Sequence, residues 1–349
     1  MKMTFRWYGE DDPVKLEEIR QIPGMKGIVS AIYDVPVGEV WSRDRIKQLK
    51  NTVEAAGLEL SVIESVPVHE DIKLGKPSRD KLIANYKETI RNLGAEGVNT
   101  VCYNFMPVFD WTRTDLAYEL EDGSNALIFD EEVASKMDPV NGELSLPGWD
   151  SSYTKEEMKN IMDEYAKVDN EQLWANLEYF IKEIIPAAEE ADVLMAIHPD
   201  DPPYSIFGLP RIITGQDAVE RFIKLYDSKN NGITMCVGSY ASDPANDTIG
   251  ILRYALEADR VNFMHARNIK LTGQGKSFEE SAHPSEYGSI DMYEVVKALH
   301  DHNFEGAIRP DHGRMIWGET GRAGYGLYDR ALGATYLHGL WEAVDKDAK

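Results

Sequence analysis

The chain has 349 residues, 37 of them Lys or Arg and 60 Asp or Glu, for a formal net charge of −23, with 43% hydrophobic residues and two cysteines. So acidic a surface repels phosphate backbones and anionic headgroups, which excludes nucleic acid and membrane as expected partners. Cys102 and Cys236 make no disulfide framework, MKMTFRWYGEDDP lacks the apolar run of a signal peptide, and no apolar stretch of roughly 18 residues offers a span, so a reduced, soluble, cytoplasmic protein is expected.

In chain order, β-rich runs fall at 4–9 (TFRWYG), 27–33 (GIVSAIY), 59–66 (ELSVIESV), 98–105 (VNTVCYNF), 193–198 (VLMAIH), 233–238 (ITMCVG), 261–266 (VNFMHA) and 306–311 (GAIRPD). Most are continuously apolar or β-branched, the pattern of strands buried on both faces. Helical patterns lie between them. Ser42 opens one whose apolar face is Ile46, Leu49, Val53 and Ala56, with a stop at Gly57. Ser78 opens a second that ends at Gly94, residues 170–190 form a longer helix, and Thr214, Asp243 and Ser289 read as caps of later ones. Strand–helix alternation implies right-handed βαβ units, and eight of them closing on themselves predict one α/β domain over 1–349, a (β/α)8 TIM barrel. A long insertion at 106–170, after the fourth strand and containing Trp111 and Trp149, interrupts the rhythm and reads as a lid or an oligomer-contact subdomain. No internal repeat occurs.

A barrel of this kind carries its active site at the C-terminal strand ends. Those ends, from the fifth strand on, read AIHPDD, MCVGSY, FMHARN and AIRPDH, which places His198, Cys236, His265 and Asp311 at equivalent heights. Singly, a histidine can be structural, a cysteine a small hydrophobe and an aspartate a turn former. Imidazole, thiolate and carboxylate converging from four adjacent strands instead predict a divalent transition-metal site. Alternation along the last strand puts Ala307, Arg309 and Asp311 on one face. Arg309, Arg267, Arg314 or Arg322 can clamp a substrate carboxylate, although surface ion pairing is favoured for Arg267 and Arg314. The Gly-rich GRAGYGLY (321–328) places Tyr325 on a loop at the mouth, where a nearby cation would lower its pKa enough for it to act as a base; an incidental tyrosine is the alternative. The glycine spacing there is not a dinucleotide fingerprint. His312 is a proton carrier or a turn cap, and Trp7 and Tyr8 stack on a sugar face or fill the core.

MTFRWYG, AIHPDDPP, MCVGS, HARNIK, SFEESAHPSEYGSIDM and IRPDHGRMIWGE together resemble the mannonate dehydratase family of hexuronate degradation, over essentially the whole chain. The resemblance implies a TIM barrel akin to the xylose-isomerase-like barrels, a homodimer, and Mn²⁺- or Fe²⁺-dependent dehydration of D-mannonate to 2-keto-3-deoxy-D-gluconate. It implies that His198, Cys236, His265 and Asp311 hold the metal, and that Arg309, His312 and Tyr325 are catalytic. The expected route removes the C2 proton and expels the C3 hydroxyl, with Tyr325 as base and His312 as acid, or the reverse, and a metal-bound Cys236 thiolate sensitive to oxidants. One rival is a sugar isomerase on the same barrel, for which Glu64 is the only obvious extra carboxylate ligand. The other is a non-catalytic metal- or sugar-binding barrel with a closed four-ligand site.

Overall fold

The computed structural model describes residues 1–141, 153–273 and 275–349. In chain order its strands are β1 (Lys2–Arg6), β2 (Gly27–Ser30), β3 (Glu59–Glu64), β4 (Thr100–Tyr103), β5 (Asp115–Glu119), β6 (Asn125–Phe129), β7 (Leu194–Ile197), β8 (Asn231–Cys236), β9 (Val261–His265), β10 (Ile269–Leu271), β11 (Phe278–Glu280) and β12 (Ala307–Arg309). A closed parallel barrel runs β1-β2-β3-β4-β7-β8-β9-β12 and back to β1, as the eight predicted runs require. The remaining strands form a separate sheet in the order β10-β11-β6-β5.

Alternation along the barrel strands separates two kinds of packing. Phe5, Ile63, Val101, Met195, Ile233 and Met264 are buried in the large core shared with the helices. Val29, Val62, Cys102, Ala196, Phe263 and Ala307 form a small apolar layer of their own. Two residues further along the same faces come Glu64, His198, His265 and Arg309, so the polar level sits directly above that layer. The register aligns Cys236 with His265 and His265 with Arg309, while Glu64 pairs with Cys102 of the apolar layer.

The strands stop earlier than the β-rich runs suggest, because the chain turns away where the polar residues begin. After Cys236 it enters the helix Val237–Ala241. Several caps also differ from expectation. Ser42 does accept from the Arg45 backbone N–H, but the Ser78 hydroxyl donates to Asp71 instead. That helix continues through Gly94 to Ala95, and the left-handed residue beyond it is Gly97, at φ +71°. Gly94 answers a different need, since a Cβ there would lie 2.3 Å from the Ala191 carbonyl oxygen. Thr214, Asp243 and Ser289 each fall short of the helix start, where Gly215, Asp247 and Asp291 occupy the cap positions. The 170–190 helix is observed as Asn170–Glu190, capped by Asp169.

Within 106–170 the chain forms β5, β6 and the helices Glu131–Lys136 and Lys155–Tyr165, while Trp149 lies outside the described residues. Pairing of β6 with β11 ties this segment to the loop after β9. Within it, Val108, Phe109, Met158 and Tyr165 form a satellite cluster with Leu209.

Candidate active site

The four predicted ligands converge. His198, Cys236 and His265 offer donor atoms that all lie within 4.8 Å of one another. His198 Nε2 faces His265 Nδ1 at 3.2 Å. Asp311 Oδ2 stands 3.6 Å from His265 Nδ1 and 3.7 Å from Cys236 Sγ. Donor atoms bonded to one tetrahedral ion at ~2.0–2.3 Å are themselves ~3.3–3.8 Å apart, close to the His198–His265, His265–Asp311 and Cys236–Asp311 separations, so the chemistry and spacing of these donors fit a divalent transition metal. His198 Nδ1 lies 2.7 Å from the Pro199 carbonyl oxygen, which can only accept. The Nδ1 proton is thereby fixed, and in the neutral ring the Nε2 lone pair points into the cluster.

The electrostatics agree. Burial opposes a charge on His198, yet Cys236, Glu64 and Asp311 outweigh it and lift the imidazole to about 9. A divalent cation would satisfy that same field. Burial would raise the Asp311 carboxyl, but Arg309, His312, His265 and Arg267 hold it well below the usual carboxylate range. Burial, helped by Arg309, pushes His265 well below its ordinary value, favouring the neutral, ligating ring. Asp311 sits at φ +62°, a conformation that persists in a non-glycine residue only when its surroundings hold it there. Arg309 Nη2 at 2.7 Å and Arg267 Nε at 3.3 Å do so.

Around the cluster runs a buried ionic network. Arg309 Nη2 also donates to Glu64 Oε1 at 3.0 Å, and Glu64 Oε1 lies 3.5 Å from His265 Nε2. Arg113 donates to Asp201 and to Glu280, each at 2.8 Å. Arg267 donates to Asp201 at 2.7 Å and also bonds Glu280. Arg267 is therefore fully buried rather than a surface ion pair. It lies two residues past His265 on the inward face, and Gly238 makes room for it, since a Cβ there would come within 2.3 Å of Arg267 Nε. Arg314 does pair at the periphery, with Asp329 at 3.0 Å and Asp122 at 2.8 Å.

His312 and Tyr325 meet directly, His312 Nε2 to the Tyr325 hydroxyl at 2.8 Å. His312 Nδ1 lies 3.2 Å from Glu280 Oε1 and 3.0 Å from Arg267 Nη1. The expectation of a Tyr325 phenol with lowered pKa is corrected here. Burial pushes it well above its ordinary value, Tyr8 adds to the rise, and the opposing Arg309 is too weak to reverse it. Tyr325 is a neutral phenol in contact with an imidazole.

These groups open onto a cavity of ≈ 280 Å³ at the barrel mouth, lined among others by Arg6, Tyr8, Trp111, His198, Arg309 and Tyr325. That size suits a small polar ligand. Tyr8 faces the cavity, with the exposed Arg322 guanidinium 4.0 Å from its ring centre. Trp7 is not among the lining residues; it points the other way, 4% exposed, into the core. Sequence reasoning missed Arg6, Arg113, Asp201 and Glu280. Asp201 and Glu280 lay within the quoted stretches AIHPDDPP and SFEESAHPSEYGSIDM, but nothing local marked their partners.

Known proteins share this sequence and fold. The family profile described as D-mannonate dehydratase (UxuA) matches residues 1–349. Mannonate dehydratase of Streptococcus uberis is 79% identical over 349 residues, all of both chains, and that of Streptococcus agalactiae serotype III is 78% identical with the same coverage. The crystal structure of mannonate dehydratase from Streptococcus suis serotype 2 superposes with a TM-score of 0.93 at 60% identity, covering 100% of this chain and 96% of that one. A xylose isomerase domain protein from Planctomyces limnophilus, at 14% identity and a TM-score of 0.56 over 99% of this chain and 98% of that one, shares the barrel alone. With its whole length matched and its strand-end residues gathered at one mouth, the chain belongs to the D-mannonate dehydratase family.

Proposed function

We propose that the site removes water from D-mannonate to give 2-keto-3-deoxy-D-gluconate, with His198, Cys236, His265 and Asp311 holding Mn²⁺ or Fe²⁺. The chain is a mannonate dehydratase, a hydro-lyase acting on a sugar acid. The observation that carries the site assignment is the Tyr325–His312 contact in the cavity that His198 and Asp311 also line, beside the His198–Cys236–His265 cluster. The isomerase reading is not favoured, because the family match covers the whole chain and the barrel-only likeness speaks to fold. A homodimer belongs to this proposal through the family resemblance, a cytoplasmic setting through the two cysteines that make no disulfide framework, and a lid or oligomer-contact role for 106–170 through the length of that segment.

The bound divalent ion supplies positive charge for the negative charge that builds on the C1 carboxylate as C2 loses its proton. The side chains divide the remaining work. Tyr325 takes the C2 proton as its own proton passes to His312 Nε2 across the 2.8 Å contact, so no free phenolate is needed. Glu280 Oε1, 3.2 Å from His312 Nδ1, stabilises the resulting imidazolium. The proton held by the pair then leaves with the C3 hydroxyl as water. The C2 enol takes a solvent proton at C3 and releases its hydroxyl proton, completing the keto acid. Trp111, whose ring meets the His312 ring edge-on with centroids 5.9 Å apart, fixes the plane of the imidazole.

Run in D₂O, the reaction is expected to give product with one solvent deuterium at C3 and none of the original C2 hydrogen. Tyr325→Phe is expected to lower kcat by ~10²–10⁴-fold. Transfer of the C2 hydrogen into product would contradict proton abstraction, and near-normal turnover by the Phe variant would remove Tyr325 from the chemistry.

A further inference from the structure

Arg6 closes β1, 7% exposed, on the side opposite the core residue Phe5, and it lines the cavity. Among the described residues its guanidinium makes no hydrogen bond and no ion pair, and its Nη1 is buried without a partner. Its neighbours are rings, with Tyr8 at 4.5 Å and Tyr33 at 6.0 Å from the guanidinium carbon. Arg309 also keeps Nε and Nη1 buried without hydrogen-bond partners, but its charge is compensated, since its Nη2 already serves both Glu64 and Asp311. Burying a cation without a counter-charge is costly, and a chain of net charge −23 has carboxylates to spare for it. That this guanidinium stays unpaired beside a polar cavity means its partner comes from outside.

We propose that Arg6 binds the carboxylate of the sugar-acid substrate, and that Arg309 positions Glu64 and Asp311 rather than clamping the substrate. The geometry is consistent with the reaction. The Tyr8 ring touches Arg6 on one side and meets Tyr325 edge-on with centroids 4.9 Å apart, so a carboxylate held at Arg6 brings its neighbouring carbon toward the phenol. A planar guanidinium backed by aromatic rings also suits a planar carboxylate better than an ammonium would. This inference rests on the mannonate reading for the identity of the acid.

The test is calorimetric binding, to the Mn²⁺-loaded protein, of 3-deoxy-D-mannonate and of its neutral amide. Neither has a C3 hydroxyl to lose. The wild type is expected to prefer the acid by ~10²-fold. In Arg6→Gln that preference falls at least tenfold while amide binding is unchanged, which also shows the pocket intact; Arg6→Lys is intermediate, and serves alone if the Gln variant does not fold. With D-mannonate, kcat/KM of Arg6→Gln falls by ~10²–10³-fold. An acid preference that survives undiminished in both variants, or a wild type with no preference, overturns the assignment of Arg6. A wild type that prefers the acid yet never dehydrates D-mannonate would instead overturn the reaction and leave the carboxylate site standing.

Discussion

Cys236→Ser combined with His265→Asn is expected to abolish turnover of D-mannonate, by ~10³-fold or more, and to leave the purified protein without stoichiometric Mn²⁺ or Fe²⁺. The two residues face each other across the β8–β9 register, and their donor atoms form one side of the His198–Cys236–His265 cluster. Removing both leaves His198 and Asp311, too few donors to hold an ion against water. Fold should survive, because the substitutions sit on the polar level above the apolar barrel layer rather than in it. The measurement is metal content after dialysis, alongside the initial rate and the circular dichroism spectrum. A folded variant that keeps both metal and rate would place the metal elsewhere.

The second large effect lies in the ring of charges behind the cluster. Asp201 and Glu280 each bond both Arg113 and Arg267, and all four are essentially inaccessible to solvent. Neutralising one carboxylate leaves Arg113 with a single buried carboxylate that it must share with Arg267, which keeps only Asp311 besides, so Asp201→Asn or Glu280→Gln is expected to cost about 3–5 kcal/mol in denaturant unfolding. The same network sets the acid limit of the fold. Burial alone would raise both carboxyls, but Arg267 and Arg113 bring Glu280 down to about 2, and Arg113 and Arg267 hold Asp201 lower still. A carboxyl depressed in the folded state contributes its full stability above its unfolded pKa of roughly 4. That contribution is lost as pH falls from there toward 2 for Glu280, and lower still for Asp201. The wild-type denaturation midpoint should therefore drop steeply below pH ~4, and Glu280→Gln should show a shallower drop. Identical pH slopes in the two proteins would mean that the network contributes nothing to acid stability.

The contrast between the two sites explains what could be read before the fold was known. His198, Cys236, His265 and Arg309 end strands whose apolar runs and period-two alternation are local properties, so their height and face follow from the chain itself. Arg6 was accessible to the same reasoning. Reading TFRWYG as alternating would have sent Arg6 and Tyr8 inward together and Trp7 outward, as observed. The ionic network was not accessible, because Arg113 meets partners 88 and 167 residues away, contributed by the loop after β7 and by β11. Arg267 looked like a surface residue for the same reason. The Tyr325 phenol was misjudged because its pKa is governed by burial, a tertiary property, and not by the glycines beside it. Helix starts erred where several polar residues compete: Asp291 accepts from the Tyr293 and Glu294 backbone N–H groups, whereas the Ser289 hydroxyl is taken by Leu271.

The most direct test of the metal-dependent dehydratase site uses the wild-type protein, stripped with chelator under reducing conditions and incubated with D-mannonate before and after Mn²⁺ is restored. The geometry of His198, Cys236, His265 and Asp311 beside the Tyr325–His312 pair predicts 2-keto-3-deoxy-D-gluconate only after the metal returns. Product at the same rate from the stripped protein, or none with the ion bound, would contradict it.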